Sequence, residues 1–282
     1  MNRPEVITQP TEGISHAVVA VIDDLQQQLR RPQHDQTNIH RIRVDIKRLR
    51  AWLRLVDKDA GFDWRAANRR LRDQSKRLSP CRDAQVIMDT LRWLRGKSAG
   101  ADREAVELLL SRLHFDAGGE SIDWETLQAP LAEAAEALRG PVLALQSDDI
   151  VRRGLKRCYR RAVREGKRAF SPGGTIEDLH ELRKWVKYLY YQLGYVDKTR
   201  PGCCTKTRAR LDRLGDKLGR IHDLDLTRSR TERLSAGGDC AEAAARVTVL
   251  VDESMDKLLK SCRRLYRKGL HTSASGFVRR LV

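Results

Sequence analysis

A stretch of this chain occurs twice, and the repetition constrains the fold more than any other feature of the sequence. Residues 39–50 recur imperfectly as residues 179–190, which is 140 residues later. At about 100° per residue on an α-helix, each copy places a basic row on one side, consisting of His40, Arg43, Lys47 and Arg54, then of His180, Arg183 and Lys187. Apolar residues form the opposite side, namely Ile42, Ile46, Leu49, Leu53 and Val56, then Leu182, Val186, Leu189, Leu193 and Val196. Each copy therefore predicts an amphipathic helix with one basic face and one buried face.

The correspondence continues past the repeated helix. The same offset matches Leu71, Leu78 and Asp83 to Leu211, Leu218 and Asp223. One His-x-x-Arg-x-x-x-Lys motif carries little information, but two copies at a constant distance from a matched Leu-x-x-x-x-Asp indicate an internal repeat.

These paired motifs resemble the CHAD family, the conserved histidine α-helical domain, over residues 15–280. The resemblance implies an all-α bundle of two pseudo-twofold-related halves, which binds inorganic polyphosphate and has no established catalytic activity. Two positions depart from the family pattern: Tyr190 stands where arginine is usual, and Ser79-Pro80 replaces an expected glycine and its neighbour. On this basis we expect a flexible tail at 1–13 and one CHAD domain at 14–282, with halves 14–140 and 150–282.

The rest of the sequence also favours helices. Apolar periodicity and breaker residues predict helices at about 15–31, 64–78, 84–95, 102–115, 205–218, 224–235 and 241–269. No segment alternates for long enough to predict a strand. The expected fold class is therefore an all-α helical bundle.

The charge balance indicates a polyanionic partner. The chain has 55 Lys and Arg against 38 Asp and Glu, a net charge of +17, which exceeds what solubility requires. Phosphate oxygens suit guanidinium forks and lysine point charges. The predicted polyphosphate-binding residues are His40, Arg43, Lys47, Arg50, Arg54, Arg65, Arg69, Arg72, Lys76, Arg153, Arg157, Arg160, Arg164, His180, Arg183, Lys184 and Lys187. Asp83 and Asp223 are predicted to support them, either by capping a helix or by holding a motif arginine.

Several other classes find little support. No apolar run approaches the length of about 20 residues that crosses a bilayer, and the first residues lack a signal-peptide core, so we expect a cytoplasmic protein. The six cysteines show no metal-ligand or disulfide spacing, and we predict reduced thiols, no metal and no cofactor. No nucleophile with its base and no phosphate-cradling glycine loop is recognisable, so we predict a protein that is not an enzyme.

Three alternatives stay open at this point. Nucleic acid shares the phosphate backbone and is kept as a weaker competitor, although aromatics make up only 5% of the chain. A phosphate-metabolising enzyme is suggested by His222-Asp223, which is similar to the motif of metal-dependent phosphohydrolases, but the matching pair is Arg82-Asp83. A scaffold that coats polyphosphate granules would use the same basic surface for attachment.

Overall fold

The computed structural model describes residues 10–56, 61–78, 80–115, 122–145, 147–235 and 240–281. Within these ranges the chain forms twelve α-helices and no strand, which confirms the predicted all-α class. The helices are α1 (Pro10–Leu29), α2 (Gln36–Val56), α3 (Trp64–Arg77), α4 (Pro80–Arg95), α5 (Gly100–Phe115), α6 (Trp124–Glu136), α7 (Arg139–Leu143), α8 (Asp148–Ala169), α9 (Ile176–Thr199), α10 (Thr205–Ser235), α11 (Ala241–Gly269) and α12 (Ala274–Arg279).

The chain divides into two compact units. Unit 1 comprises Met1–Arg77, Asp123–Asp212 and Lys268–Val282, and unit 2 comprises Leu78–Ile122 and Arg213–Arg267. Each unit takes segments from both predicted halves, 14–140 and 150–282. The pseudo-twofold relation between those halves stays a prediction.

Unit 1 is organised around the two repeated helices, α2 and α9, which pack against each other and against α8 and α1. The predicted apolar faces are buried: Ile42, Ile46 and Leu49 are 0% exposed, as are Leu182, Val186 and Leu189. Each such side chain contributes about 1.5–3 kcal/mol through removal of apolar surface from water. The period of the apolar residues therefore fixes which side of each repeated helix faces the core.

Two contacts set the close packing of α8 in unit 1. Gly154 lies so near α2 that a Cβ atom would come within 1.9 Å of the carbonyl oxygen of Leu55. Gln192 of α9 is fully buried and its Nε2 donates to the carbonyl oxygen of Ala51 at 2.9 Å, while lying 3.2 Å from Sγ of Cys158. A small residue and a buried amide thus hold α2, α8 and α9 together.

Unit 2 contains α4, α5, α11 and the later part of α10. Its core is aliphatic, with Leu91, Val106, Leu109, Val247 and Val251 all 0% exposed. An ion pair of 3.1 Å joins Nη1 of Arg246 in α11 to Asp102 in α5. This unit follows the ordinary amphipathic pattern that its sequence predicts.

Two helices differ clearly from the sequence expectation. Helix α1 begins at Pro10, inside the predicted tail, because proline is well suited to the first turn of a helix; residues 1–9 lie outside the described part. Helix α10 runs unbroken from Thr205 to Ser235 where two helices were predicted. Asp223 consequently lies inside a helix and does not cap one. The side chain of Asp83 falls outside the described residues.

Among the described residues, no helix is both long and apolar enough to cross a membrane.

Candidate anion-binding site

One face of α8 concentrates positive charge. Arg153, Arg157, Arg160, Arg161 and Arg164 fall within roughly 100° of the helix circumference. The opposite face buries Val151, Leu155, Tyr159 and Ala162 in unit 1. Because the apolar face fixes the rotation of α8, the arginines must point to the outer side of the helix.

Four of these arginines, all except Arg153, line a cleft of about 650 Å³ formed by α2, α8 and α9 within unit 1. Its lining residues are Arg54, Arg157, Cys158, Arg160, Arg161, Arg164, Glu181 and Trp185. Five guanidinium groups therefore face one carboxylate. Such a lining attracts an anion that can offer several oxygens at once.

The indole of Trp185 holds two of the guanidinium groups in place. The Cζ atoms of Arg54 and Arg161 lie 5.8 and 5.5 Å from its ring centroid, and Arg54 also lies 5.0 Å from the ring of Trp64. Stacking on an aromatic ring stabilises a guanidinium group by about 0.5–1 kcal/mol at exposed sites. Stacking does not consume the N–H donors of a guanidinium group, although Nε of Arg161 already pairs with Glu165 at 2.6 Å.

The buried carboxylate of Glu165 pairs with arginines that line the cleft or lie next to it. Glu165 is 1% exposed, and its oxygens lie 2.6 Å from Nε of Arg161, 3.2 Å from Nη2 of Arg168 and 3.6 Å from Nε of Arg164. Arg168 also pairs with Asp178 of α9 at 2.6 Å. One buried acid thus relieves the repulsion among three arginines while leaving most of their charge at the surface.

Arg157, which also lines the cleft, makes a hydrogen bond to the backbone of α2. Nη2 of Arg157 donates to the carbonyl oxygen of Leu55 at 3.0 Å. The Nε of Arg54 is buried without a hydrogen bond to the described residues. A buried donor in this state gains a partner when an anion or water enters the cleft.

Of the predicted binding residues, four line this cleft: Arg54, Arg157, Arg160 and Arg164. Arg153 is exposed on the same helix, and Arg65, Arg69, Arg72 and Lys76 are exposed on α3. Arg65 lies beside the Trp64 ring at 5.1 Å, and Arg72 pairs with Asp73 at 3.0 Å. These four cations, the α3 row, therefore do not line the cleft; they lie next to it, on the helix that carries Trp64.

The other predicted residues on α2 and α9 are placed differently. Arg43, Lys47 and Arg50 are half-buried on α2, as are His180, Arg183, Lys184 and Lys187 on α9. Nε of Arg50 donates to Oδ1 of Asn68 at 3.1 Å, and Lys187 pairs with Asp212 at 3.2 Å. Lys184 pairs with Glu181, which itself lines the arginine cleft.

His40 belongs to a second cleft, of about 530 Å³, between α1 and α2. Its charged lining residues are Asp24, Arg31, His40, Arg41, Asp45 and Arg48. Burial raises the pKa of Asp45 from 3.8 to about 6, with the nearby Arg48 acting in the opposite direction. Two carboxylates face three arginines here, compared with one carboxylate and five arginines in the arginine cleft, so this cleft is a weaker place for a polyanion.

Four of the eight residues that line the arginine cleft were not predicted from the sequence: Cys158, Arg161, Glu181 and Trp185. Arg161 belongs to the same α8 arc as Arg157 and Arg164, so its position at i+4 from Arg157 was a usable signal. Trp185 carried no comparable signal in the sequence. Its role beside Arg54 and Arg161 depends on helix packing, which sequence spacing does not reveal.

The described residues thus form an all-helical fold with a cleft lined by arginines. The model of the CHAD domain family matches residues 16–232, and the chain belongs to that family. Among solved structures, the CHAD domain from the plant Ricinus communis superposes with a TM-score of 0.60 at 19% identity, covering 93% of this chain and 91% of the other. At that identity the likeness establishes the fold alone. No curated protein matches the sequence.

Proposed function

We propose that this protein is a non-catalytic module that binds inorganic polyphosphate in the arginine cleft of α2, α8 and α9. The observation that carries the proposal is the lining of five arginines against one glutamate in a cleft of about 650 Å³. Polyphosphate offers negatively charged oxygens at every unit along a flexible chain. Such a ligand satisfies several guanidinium groups together, which a single small anion does not.

The surrounding charges favour a long ligand. The exposed arginine Arg153 extends the α8 row beyond the cleft, and the α3 row begins beside Trp64, which contacts Arg54. A chain seated in the cleft can therefore continue onto neighbouring cations. Each added contact becomes intramolecular once the first segment has bound, so avidity grows with ligand length.

Nucleic acid is the competing ligand class. A base that stacked on Trp185 would compete with the guanidinium groups of Arg54 and Arg161, which lie 5.8 and 5.5 Å from the ring centroid. Single-strand binders rely on such stacking for about 1–3 kcal/mol per base. This contact favours a ligand that has phosphates without bases.

We propose no reaction for the cleft. Cys158 in its lining is buried and its thiol lies 3.4 Å from the carbonyl oxygen of Arg54, which suits a packing role. Attachment to polyphosphate granules would follow from the same binding. Storage, targeting or regulation of a separate enzyme would each use the cleft in the same way.

The test is competition between short polyphosphate and labelled single-stranded DNA at matched salt. We expect polyphosphate of equal charge to displace the DNA, and its affinity to fall log-linearly with salt concentration because bound counterions are released. Equal affinity for the two ligands, or a complex insensitive to salt between about 50 and 200 mM, would contradict the proposal.

Paired variants test the location. Arg160→Gln with Arg164→Gln removes two exposed cations of the cleft, and Arg263→Gln with Arg264→Gln removes two exposed cations of α11 in unit 2. Both double variants lower the net charge equally. We expect a loss of tenfold or more only for the first, since charge-assisted hydrogen bonds contribute about 1.5–3 kcal/mol each. An equal loss in both would mean that net charge, and not the cleft, determines binding.

A further inference from the structure

A second constellation of side chains lies away from the arginine cleft, where α9 ends and α10 begins. Asp197 belongs to the last turns of α9, and Cys203 and Cys204 precede the first residue of α10. One carboxylate oxygen and the two Sγ atoms all lie within 4.8 Å of one another. All three residues belong to unit 1, and both cysteines are free thiols.

The backbone builds this arrangement by a tight turn. Gly202 has φ of 86°, in the left-handed region that suits glycine. Its N–H donates to Oδ1 of Asp197 at 3.1 Å, which closes the loop back onto α9. The carbonyl oxygen of Cys204 accepts from the N–H of Arg208 at 2.8 Å, so Cys204 is fixed at the start of α10.

The two oxygens of Asp197 face different partners. Oδ1 lies 3.4 Å from Sγ of Cys204, on the thiol side. Oδ2 lies 3.8 Å from Nη1 of Arg208, whose guanidinium group is also 4.9 Å from the Tyr190 ring centroid. Metal-binding carboxylates are commonly oriented in this way by an outer partner that holds the second oxygen.

The accessibility of the two thiols differs. Cys204 is 1% exposed, whereas Cys203 is exposed. An ion would therefore enter from the solvent side, where Cys203 lies, and would contact the buried thiol of Cys204 on its inner side.

We propose that Asp197, Cys203 and Cys204 bind one Zn²⁺ ion through a carboxylate oxygen and two thiolates. Zinc accepts sulfur and oxygen ligands in tetrahedral geometry, with Zn–S bonds of about 2.3 Å that place two sulfurs about 3.8 Å apart. Atoms already within 4.8 Å reach that spacing by side-chain rotation. Thiolates disfavour Ca²⁺ and Mg²⁺, and the carboxylate disfavours Cu⁺.

The charge and proton balance of this site are simple. The two thiols release two protons as the ion binds, and the three anionic ligands with Zn²⁺ carry one net negative charge, next to the Arg208 guanidinium group. Three protein ligands leave the fourth position open to water on the exposed side of Cys203. The bound ion would tie the end of α9 to the start of α10.

The test uses the full-length, reduced protein after chelator treatment, titrated with Zn²⁺ against a chromophoric chelator and with Co²⁺ as a spectroscopic probe. We expect one Zn²⁺ per chain and thiolate-to-cobalt charge-transfer absorption. Cys203→Ser, a change at an exposed side chain, should halve that absorption and weaken Zn²⁺ binding tenfold or more. Asp197→Asn should weaken binding without removing the sulfur signal.

The control is Cys240→Ser, which changes a half-buried cysteine of unit 2 and should leave both readouts unchanged. Wild-type Zn²⁺ affinity in Cys203→Ser would overturn the proposal. Wild-type affinity in Asp197→Asn would overturn the carboxylate ligand and with it the three-residue site. If Cys203→Ser alters the circular dichroism spectrum, Cys203→Ala replaces it, and if Asp197→Asn does so, Asp197→Ser replaces it; the Zn²⁺ affinity of the replacement then decides.

Discussion

Nη2 of Arg157 in α8 donates a hydrogen bond of 3.0 Å to the carbonyl oxygen of Leu55 in the last turns of α2. The same carbonyl oxygen lies where a Cβ atom on Gly154 would come within 1.9 Å. The carbonyl oxygen of Leu55 thus limits how closely α8 approaches α2, and it also holds the side chain of Arg157 in place. The geometry of the cleft therefore depends on a packing contact as much as on its charges.

Gly154→Ala should destabilise the protein by about 1–3 kcal/mol, because the methyl group overlaps the backbone of Leu55 and forces α8 away from α2. Chemical denaturation measures this loss. Gly173→Ala is the control, since a Cβ atom there meets nothing within 4 Å, and it should be nearly neutral. Equal stability of the two variants would show that α8 accommodates the methyl group without moving.

Arg161→Gln should weaken polyphosphate binding about tenfold, because one charge-assisted contact in the cleft is lost. The slope of log affinity against log salt concentration should become shallower by an amount that corresponds to about one phosphate contact. Isothermal calorimetry at several salt concentrations measures both quantities. Arg103→Gln, which removes an exposed arginine of α5 in unit 2, is the charge-matched control, and a similar loss in that variant would contradict a cleft-specific role.

Glu165→Gln should lower the melting temperature, because Arg161, Arg164 and Arg168 then lose the carboxylate that offsets their mutual repulsion. We expect a cost of about 1–3 kcal/mol, reduced from the value of a fully buried pair because the arginines are partly exposed. Polyphosphate should raise the melting temperature of this variant more than that of the wild type. Thermal unfolding with and without ligand checks both, and an equal ligand effect would argue against binding beside these arginines.

Asp45→Asn should stabilise the protein at pH 7.5 and leave it nearly unchanged at pH 4. Burial raises the pKa of Asp45 from 3.8 to about 6, so the folded state binds more protons than the unfolded state between about pH 4 and 6. The contribution of Asp45 to stability therefore falls as the pH rises through that window. Above pH 6 the carboxylate is ionised in the folded state, and its burial then destabilises the protein by the full amount of about 1–3 kcal/mol. Denaturation curves at both pH values measure it.

The control for that prediction is Asp73→Asn, whose carboxylate is 55% exposed in its pair with Arg72. It should change stability little at either pH. A pH-independent gain in Asp45→Asn would mean that the amide packs better and that the ionisation of Asp45 has no part in the effect.

The repeated helices were predictable from sequence because their apolar residues recur at the helical period. Leu49 and Leu189 are both fully buried, as the pattern required. Arg153, Arg157, Arg160 and Arg164 of α8 were also predicted as binding residues, and their spacing of three or four residues places them on one face of the helix. The break before Asp223 was predicted wrongly, since glycines and a matched aspartate resemble a helix start locally, whereas α10 continues through them.

The sequence by itself determined the all-α class, the repeated amphipathic helices and the excess of positive charge, because each depends only on composition and on local periodicity. Tertiary structure decided which arginines meet. Arg54 and Arg161 come together over Trp185, although they are far apart in the chain, because Gly154 lets α8 approach α2 and Gln192 joins α9 to both. His40 lies in a different cleft, because the side of α2 it occupies faces α1. Such meetings are set by the packing of helices against one another, and no spacing within one helix encodes them.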